Sequence, residues 1–279
     1  MKKASRIHHR RQVSITGTVI LILLLVVIVM PFYIMFVGAF KPNVSLLQVP
    51  VDLVPLRNFT IENIQKVLKK TNIWLWMKNS FLISGTVALA TAFIGVTAGY
   101  AFAKINFRGK NFFFALVMAT MMMPKQMLLI PNYLVAYSMN LQNTMIGVIL
   151  TTIAPAFGVF LSRQFISSLP STLFDAAEID GCSELGKFFR IVLPLSMPAV
   201  GTISIFAFFA CFNDYIWQLI MISGEKLRTL PIGIAFYSGR AGKGEQMALA
   251  MLATLPLIAL FIACQKFFIK GVTAGAVKG

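Results

Sequence analysis

Residues 15–40 read ITGTVILILLLVVIVMPFYIMFVGAF, a run without one charged side chain. An α-helix rises about 1.5 Å per residue, so a run of this length can cross the roughly 30 Å hydrocarbon core of a bilayer. Lys2, Lys3, Arg6, Arg10 and Arg11 precede it, which is also the layout of a secretory signal. The apolar run is too long for a signal's hydrophobic region and has no A-x-A cleavage site, so it reads as a retained first span. Outward from it, five further apolar runs follow at Asn79–Ala103, Phe112–Val135, Asn143–Arg163, Ala199–Ser223 and Gln246–Lys270. The expected fold is an all-α integral membrane protein of six transmembrane helices. It would be a single transmembrane domain over 1–279, with a tail at 1–14, a bundle at 15–270 and a second tail at 271–279.

Composition agrees with that reading. Of the 279 residues 58% are hydrophobic and 12% charged, and the mean hydropathy is +0.80. A soluble domain carries about 25% charged residues, because its surface must face water. The net charge of +16 comes from 25 Lys+Arg against 9 Asp+Glu. A nucleic-acid footprint would need a soluble domain to carry it, whereas basic residues collect naturally in the cytoplasmic segments of a membrane protein. The basic N-terminus and the short loop holding Lys104, Arg108 and Lys110 place the N-terminus inside, and an even number of spans returns the C-terminus to the same side. Cys182, Cys211 and Cys264 lack metal-ligand spacing and read as packing residues, and His8 and His9 read as solvated tail, so no metal is expected.

Individual spans carry further signals. Gly85, Ala88, Ala92, Gly95 and Gly99 line one side of the second span and permit close helix approach. Pro124 and Pro131 interrupt the third. The connection Pro42–Met77, with Pro50, Pro55 and an amphipathic helix expected near Ile61–Leu68, reads as a small external lobe. Polar groups inside spans are costly and should face a wet cavity or a protein partner. Those groups are Lys125, Gln126, Asn132, Asn213, Asp214, Trp217 and Gln218, the candidates for a substrate pathway. Asn213 and Trp217 share a helix face, as do Asp214 and Gln218, and an aromatic ring beside amide and carboxylate groups suits a sugar. Lys125 has three readings: a pair with Asp214, a contact for an anionic sugar, or a side chain snorkelling to an interface.

The long inside connection Gln164–Pro198 contains Ser171–Pro198, STLFDAAEIDGCSELGKFFRIVLPLSMP. Leu169-Pro170 followed by Ser171 and Thr172 predicts a helix start, with Asp175 three residues after Thr172 as capping-box partner. Gly181 should end that helix, and a second, capped by Asp180 or Ser183, should run to a break at Pro194. Leu173, Phe174, Ala177, Phe188, Phe189 and Leu193 are then available for docking. Gly181 to Lys187 satisfies most of a P-loop pattern, but Phe188 stands where Ser or Thr must hold Mg²⁺, and no strand precedes Gly181. No nucleophile–base constellation appears elsewhere, so the chain is not expected to be an enzyme.

The run Asp175-Ala176-Ala177, then Asp180-Gly181, Phe188 or Phe189, Leu193-Pro194 and Pro198, resembles the "EAA" loop of permease subunits in ABC importers, with Asp175 in place of Glu. The match extends toward carbohydrate importers of the maltose-transporter type. It includes Arg57-Asn58-Phe59 before Asn79-Ser80, Gly99-Tyr100-Ala101-Phe102-Ala103-Lys104, Phe212-Asn213-Asp214-Tyr215-Ile216-Trp217 and the C-terminal Gly271–Gly279. Gln218 stands where that subfamily usually has Pro, so the fifth span is expected to bend differently. The resemblance implies that the loop couples this chain to ATPase subunits, and that this chain forms half of a sugar pathway. It implies a second permease subunit, two nucleotide-binding subunits, an extracytoplasmic sugar-binding protein, and a multi-pass place in a bacterial inner membrane. ATP and Mg²⁺ would belong to the partners, leaving no cofactor here. An ion-coupled secondary transporter is the rival reading, but such proteins keep acidic relays within spans and Asp214 stands alone. An ABC permease for a non-sugar or acidic-sugar substrate is the other alternative.

Overall fold

A computed structural model of the chain describes residues 15–43, 54 and 57–276, with side chains throughout except at 16 and 266–276. The basic tail over 1–14, Pro50, Pro55 and Lys278 lie outside the described residues. All described regular structure is helical. In chain order α1 is Ile15–Ala39, α2 Glu62–Lys70, α3 Ile73–Lys104, α4 Lys110–Met121, α5 Leu129–Ser138, α6 Met145–Thr152 and α7 Ala156–Ser167. Next come α8 Ser171–Ile179, α9 Glu184–Leu195, α10 Met197–Phe212, α11 Ile216–Met221, α12 Leu230–Ser238 and α13 Lys243–Ala276. Among the described residues three helices are long and apolar enough to cross a membrane, and up to six spans result when each bent pair counts as one.

The chain divides into two compact units, Met1–Lys70 with Ala241–Leu252, and Thr71–Arg240 with Ala253–Gly279. In the first, every side chain from Val19 to Met30 on α1 is exposed and apolar, a surface suited to lipid or a partner. Polar contacts cluster at its end. The Asn63 amide donates to the carbonyls of Ala39 and Lys41 at 3.1 and 2.7 Å, and Asn43 Oδ1 accepts from the Gly244 N–H at 2.7 Å. The buried Lys41 ammonium donates to the carbonyls of Val54 and Arg57. Of these, the Asn63 bonds satisfy backbone carbonyls left over at the end of α1.

In the second unit α3 is the central post, packed along α7 and α10. Its small-residue face makes this possible. A Cβ built on Gly95 would lie 2.9 Å from the backbone of Gly158, and one on Gly99 would lie 2.5 Å from Ser162 Cβ. The α3–α7 crossing therefore brings backbone against backbone.

The broken spans depart from simple rods. The third turns through 94° between α4 and a 3-10 turn at Lys125–Leu128 that leads into α5. Pro124 sits at that corner, while Pro131 lies in the first turn of α5, where a missing N–H is harmless, so only one of the two prolines breaks the span. The fourth bends by 47° between α6 and α7. The fifth is interrupted at Asn213–Tyr215, between α10 and α11. The sixth begins three residues before the expected Gln246 and stays helical to Ala276, through most of the segment read as a tail.

Two expectations for the loop are corrected. The capping box does not form: Pro170 occupies the N-cap of α8 without a side-chain bond, and Thr172 already lies inside the helix. The break falls at Ser196 and not at Pro194. Residues Phe188–Val192 adopt a π turn in which the Leu193 N–H bonds the Phe188 carbonyl, and this wider register carries the helix past the proline.

Gly95→Val should cost about 1–3 kcal/mol or more, because the side chain meets backbone that has no rotamer to yield. Gly85→Ala, which opens onto free space, should be silent. Thermal unfolding of the two purified variants in detergent reads the contrast.

Candidate functional site

Two places combine polar chemistry with unusual backbone. The first is the helix–turn–helix α8–α9. Its turn is a complete Schellman motif: the Cys182 N–H bonds the Ala177 carbonyl at 2.9 Å, and the Gly181 N–H bonds the Glu178 carbonyl at 3.0 Å. Gly181 has φ +70°, the left-handed region that glycine enters without a Cβ penalty. Ser183 rather than Asp180 caps α9, its hydroxyl accepting the Gly186 N–H at 3.2 Å.

The motif divides into two faces. Phe174, Phe188 and Val192 are buried in a core with Ala92, Val96 and Tyr100 of α3, Ile166 of α7 and Ile203 of α10, and Ala177 is buried too. Leu173, Ile179, Leu185 and Phe189 are exposed, as are Asp175, Ala176, Asp180, Gly181 and Pro194. Leu193 and Pro198 lie half-buried between them. Of the six residues available for docking, Phe174, Ala177 and Phe188 are thus spent on this chain's own core, and Leu173 and Phe189 face out.

Behind the motif, Lys104 Nζ donates to the Leu169 carbonyl at 2.8 Å and lies 4.7 Å from the centre of the Phe174 ring. The Tyr100 hydroxyl donates to Glu184 Oε2 at 2.6 Å, and Lys187 Nζ reaches Glu184 at 2.9 Å and Glu178 at 3.2 Å. The Tyr100 bond, then the Lys187 bond, holds the Glu184 carboxyl below the usual carboxylate range. Sequence reasoning passed over Glu184 and Lys187; the signal was the Tyr100-x-x-x-Lys104 pair, two polar groups on one face at the end of an apolar helix.

The second place is the set of span breaks. Lys125, Gln126 and Asn132 are exposed on the 3-10 turn and α5. At the fifth-span break Asn213 is exposed, with its amide bonded back to the Phe209 carbonyl at 3.0 Å. Asp214 is half-buried, Oδ1 accepting the Trp217 N–H at 3.2 Å, and Lys125 acts electrostatically on it without a close ion pair. Trp217 and Gln218 are buried instead. The Trp217 indole N–H donates to Thr151 Oγ1 at 2.9 Å, linking α11 to α6. The Gln218 amide donates to the Cys211 carbonyl at 2.7 Å and accepts from the Thr229 hydroxyl. The structure therefore brings Lys125 and Asp214 within electrostatic reach and turns Trp217 and Gln218 into the bundle. Thr151 and Thr229, their partners, gave no sequence signal, since a lone hydroxyl in an apolar run is ordinary.

The end of α3 opposite Tyr100 is tied as firmly. The Asn79 amide donates to the carbonyls of Lys226 and Arg228, both at 2.9 Å, and Ser80 Oγ accepts the Leu230 N–H at 2.8 Å. Asn143, at φ 52°, accepts the Ser223 and Gly224 N–H groups at 3.1 and 2.8 Å.

Residues 91–274 match the family model described as "Binding-protein-dependent transport system inner membrane component". The arabinooligosaccharides transport system permease protein AraQ of Halalkalibacterium halodurans is 34% identical, over 90% of this chain and 91% of that protein. The sn-glycerol-3-phosphate transport system permease protein UgpE of Salmonella typhi is 30% identical, over 95% of this chain and 98% of that one. A chain in the crystal structure of a bacterial ABC transporter involved in the import of the acidic polysaccharide alginate superposes with a TM-score of 0.83 at 20% identity, covering 96% of this chain and 100% of that chain, a likeness of fold.

Thr151→Val removes the acceptor of a buried indole N–H at nearly constant volume. It should lower stability by about 1–3 kcal/mol, against less than about 0.5 kcal/mol for Thr120→Val on an exposed helix position, in chemical or thermal unfolding.

Proposed function

The chain belongs to the family of binding-protein-dependent transport system inner membrane components, and from that premise we propose that it is a permease subunit of an ATP-driven carbohydrate importer, forming half of the translocation pathway. The observation that carries the reading is the α8–α9 motif, a helix pair of fixed angle whose apolar side chains Leu173, Ile179, Leu185 and Phe189 stand exposed beside Asp175 and Asp180. A face of that kind is built to be covered by another polypeptide. The stretch Asp175–Pro198 couples to a cleft in a nucleotide-binding subunit, which hydrolyses ATP with its own Mg²⁺.

Topology follows the basic residues: six spans, both termini in the cytoplasm of a bacterial-type cell, α8–α9 on the inner face of the membrane. A second permease subunit completes the pathway, two ATPase subunits dock beneath, and a sugar-binding protein docks outside against the Pro42–Met77 and Lys226–Gly244 segments. A carbohydrate is the favoured cargo because AraQ, which this chain resembles over nearly all its length, is named for arabinooligosaccharides. A second reading, an anionic sugar or sugar phosphate, is favoured by one feature: Lys125 is exposed at the 94° corner, and Asp214, the carboxylate within its electrostatic reach, is already engaged by a backbone N–H.

The test is uptake by the assembled complex in vesicles, energised with ATP inside and binding protein outside. Wild-type vesicles should accumulate a neutral oligosaccharide; ATP-independent uptake driven by an ion gradient would sink the reading. Gly181→Val forces a β-branched residue into the left-handed region, at about 1–2 kcal/mol of strain. It should leave the complex assembled while uptake falls and hydrolysis persists.

Lys125→Ala separates the two cargo readings. Uptake of a neutral oligosaccharide should be unchanged, while uptake of a phosphorylated or uronic sugar should drop about tenfold if the ammonium binds the anion. A fall with the neutral sugar alone would remove Lys125 from both readings.

A further inference from the structure

The tie behind the helix–turn–helix carries more than packing. Tyr100 lies in the last turns of α3, and its ring meets both short helices: it stacks on Phe174 of α8 at 6.2 Å between centroids and 22° between planes, and lies tilted at 43° against Phe188 of α9 at 6.0 Å. Phenylalanine would fill that space equally well. What tyrosine adds is one oxygen, and that oxygen makes a single short bond, 2.6 Å to Glu184, the first residue of α9. Glu184 passes the contact on. Its other oxygen holds Lys187 at 2.9 Å, and the same ammonium, almost fully buried, reaches across the turn to Glu178 of α8 at 3.2 Å. One turn further along α3, Lys104 holds the carbonyl of Leu169 just before α8.

These bonds have a direction. Apolar contacts alone are non-directional and let a helix pair roll on the post behind it. A charge-assisted hydrogen bond fixes an angle as well as a distance. The chain Tyr100–Glu184–Lys187–Glu178 therefore fixes the rotation of α8–α9 about the end of α3, and through the Gly95–Gly158 crossing α3 is seated on α7. Force applied to the exposed face, at Leu173, Ile179, Leu185 and Phe189, is delivered to the span and not lost in rolling of the loop.

We propose that Tyr100 is a positioning residue for coupling: through Glu184, Lys187 and Glu178 its hydroxyl locks the helix–turn–helix to the second span, so that motion imposed by an ATPase subunit turns the span with it. The proposal rests on the permease reading above. It assigns a role to Glu178, Glu184 and Lys187, which lie within Asp175–Pro198 but apart from its exposed apolar side chains, and to a residue on a different span.

The experiment uses the whole complex with its ATPase and binding-protein subunits in vesicles, and reads ATP hydrolysed per solute accumulated. The variants are compared on a solute that the wild type transports, so failure of the carbohydrate reading is seen in wild-type vesicles alone, before any variant is made. Tyr100→Phe and Glu184→Ala should each assemble, retain binding-protein-stimulated hydrolysis, and raise the ATP-to-solute ratio about tenfold or more, the scale of one charge-assisted hydrogen bond. The double variant should be no worse than Glu184→Ala alone, because the Tyr100 hydroxyl has then already lost its acceptor. A purely structural role would lower hydrolysis and uptake together and leave the ratio unchanged. An unchanged ratio in Tyr100→Phe, additive effects in the double variant, or loss of assembly in either single variant overturns the proposal.

Discussion

Two missing side chains hold the larger unit together. Gly95 and Gly158 let α3 and α7 touch backbone to backbone, and Gly99 comes as near to the backbone of Ser162 and Arg163. Without water to drive helix association, packing of this closeness and interhelical polar contacts must supply the attraction. Once α3 is seated, its two ends become anchor points. Asn79 and Ser80 hold residues 226–230 at one end, and Tyr100 and Lys104 hold the helix–turn–helix at the other. Both ends of this unit are thus measured from a single post.

The broken spans show how polar groups are kept at membrane depth. Each interruption frees backbone donors and acceptors that hydrocarbon cannot satisfy. At the Asn213–Tyr215 break, Asp214 takes the Trp217 N–H, Asn213 returns its amide to Phe209, and Gln218 occupies the Cys211 carbonyl. Gln218 is instructive because the resemblance to maltose-type importers implies proline there. The Cys211 carbonyl already accepts the Asp214 N–H; glutamine adds a second donor to it and joins α11 to Thr229, which proline has no side-chain group to do.

Much of this was readable before any coordinates. Six apolar runs, the turn at Gly181 and a corner at Pro124 follow from hydropathy, a missing Cβ and a missing N–H, all local properties. The readings that changed depend on something local rules do not contain. Pro194 fails to stop its helix because the π turn before it shifts the hydrogen-bond register, and that turn leaves no mark in composition. Thr172 fails to cap because Pro170, two residues earlier, already has the extended backbone the N-cap requires. Helical periodicity placed Trp217 beside Asn213, but the break between α10 and α11 resets the phase, and only the position of Thr151 on α6 decides where the indole points. In the docking loop, sequence alone grouped Phe174, Ala177 and Phe188 with Leu173 and Phe189; which of them face inward is set by Tyr100 and Val96 on a distant span.

The turn at Gly181 has a consequence for change as well as for shape. The turn itself is closed by backbone bonds, from Cys182 to Ala177 and from Gly181 to Glu178, with Lys187 reaching Glu178 across it. None of the apolar side chains on the outward face takes part. Geometry and identity are therefore separable: Leu173, Ile179, Leu185 and Phe189 can be exchanged as a set while the bracket that presents them stays the same. A permease built this way can be refitted to a different motor by rewriting one surface. Rewriting the bracket instead would discard the fit to every motor at once.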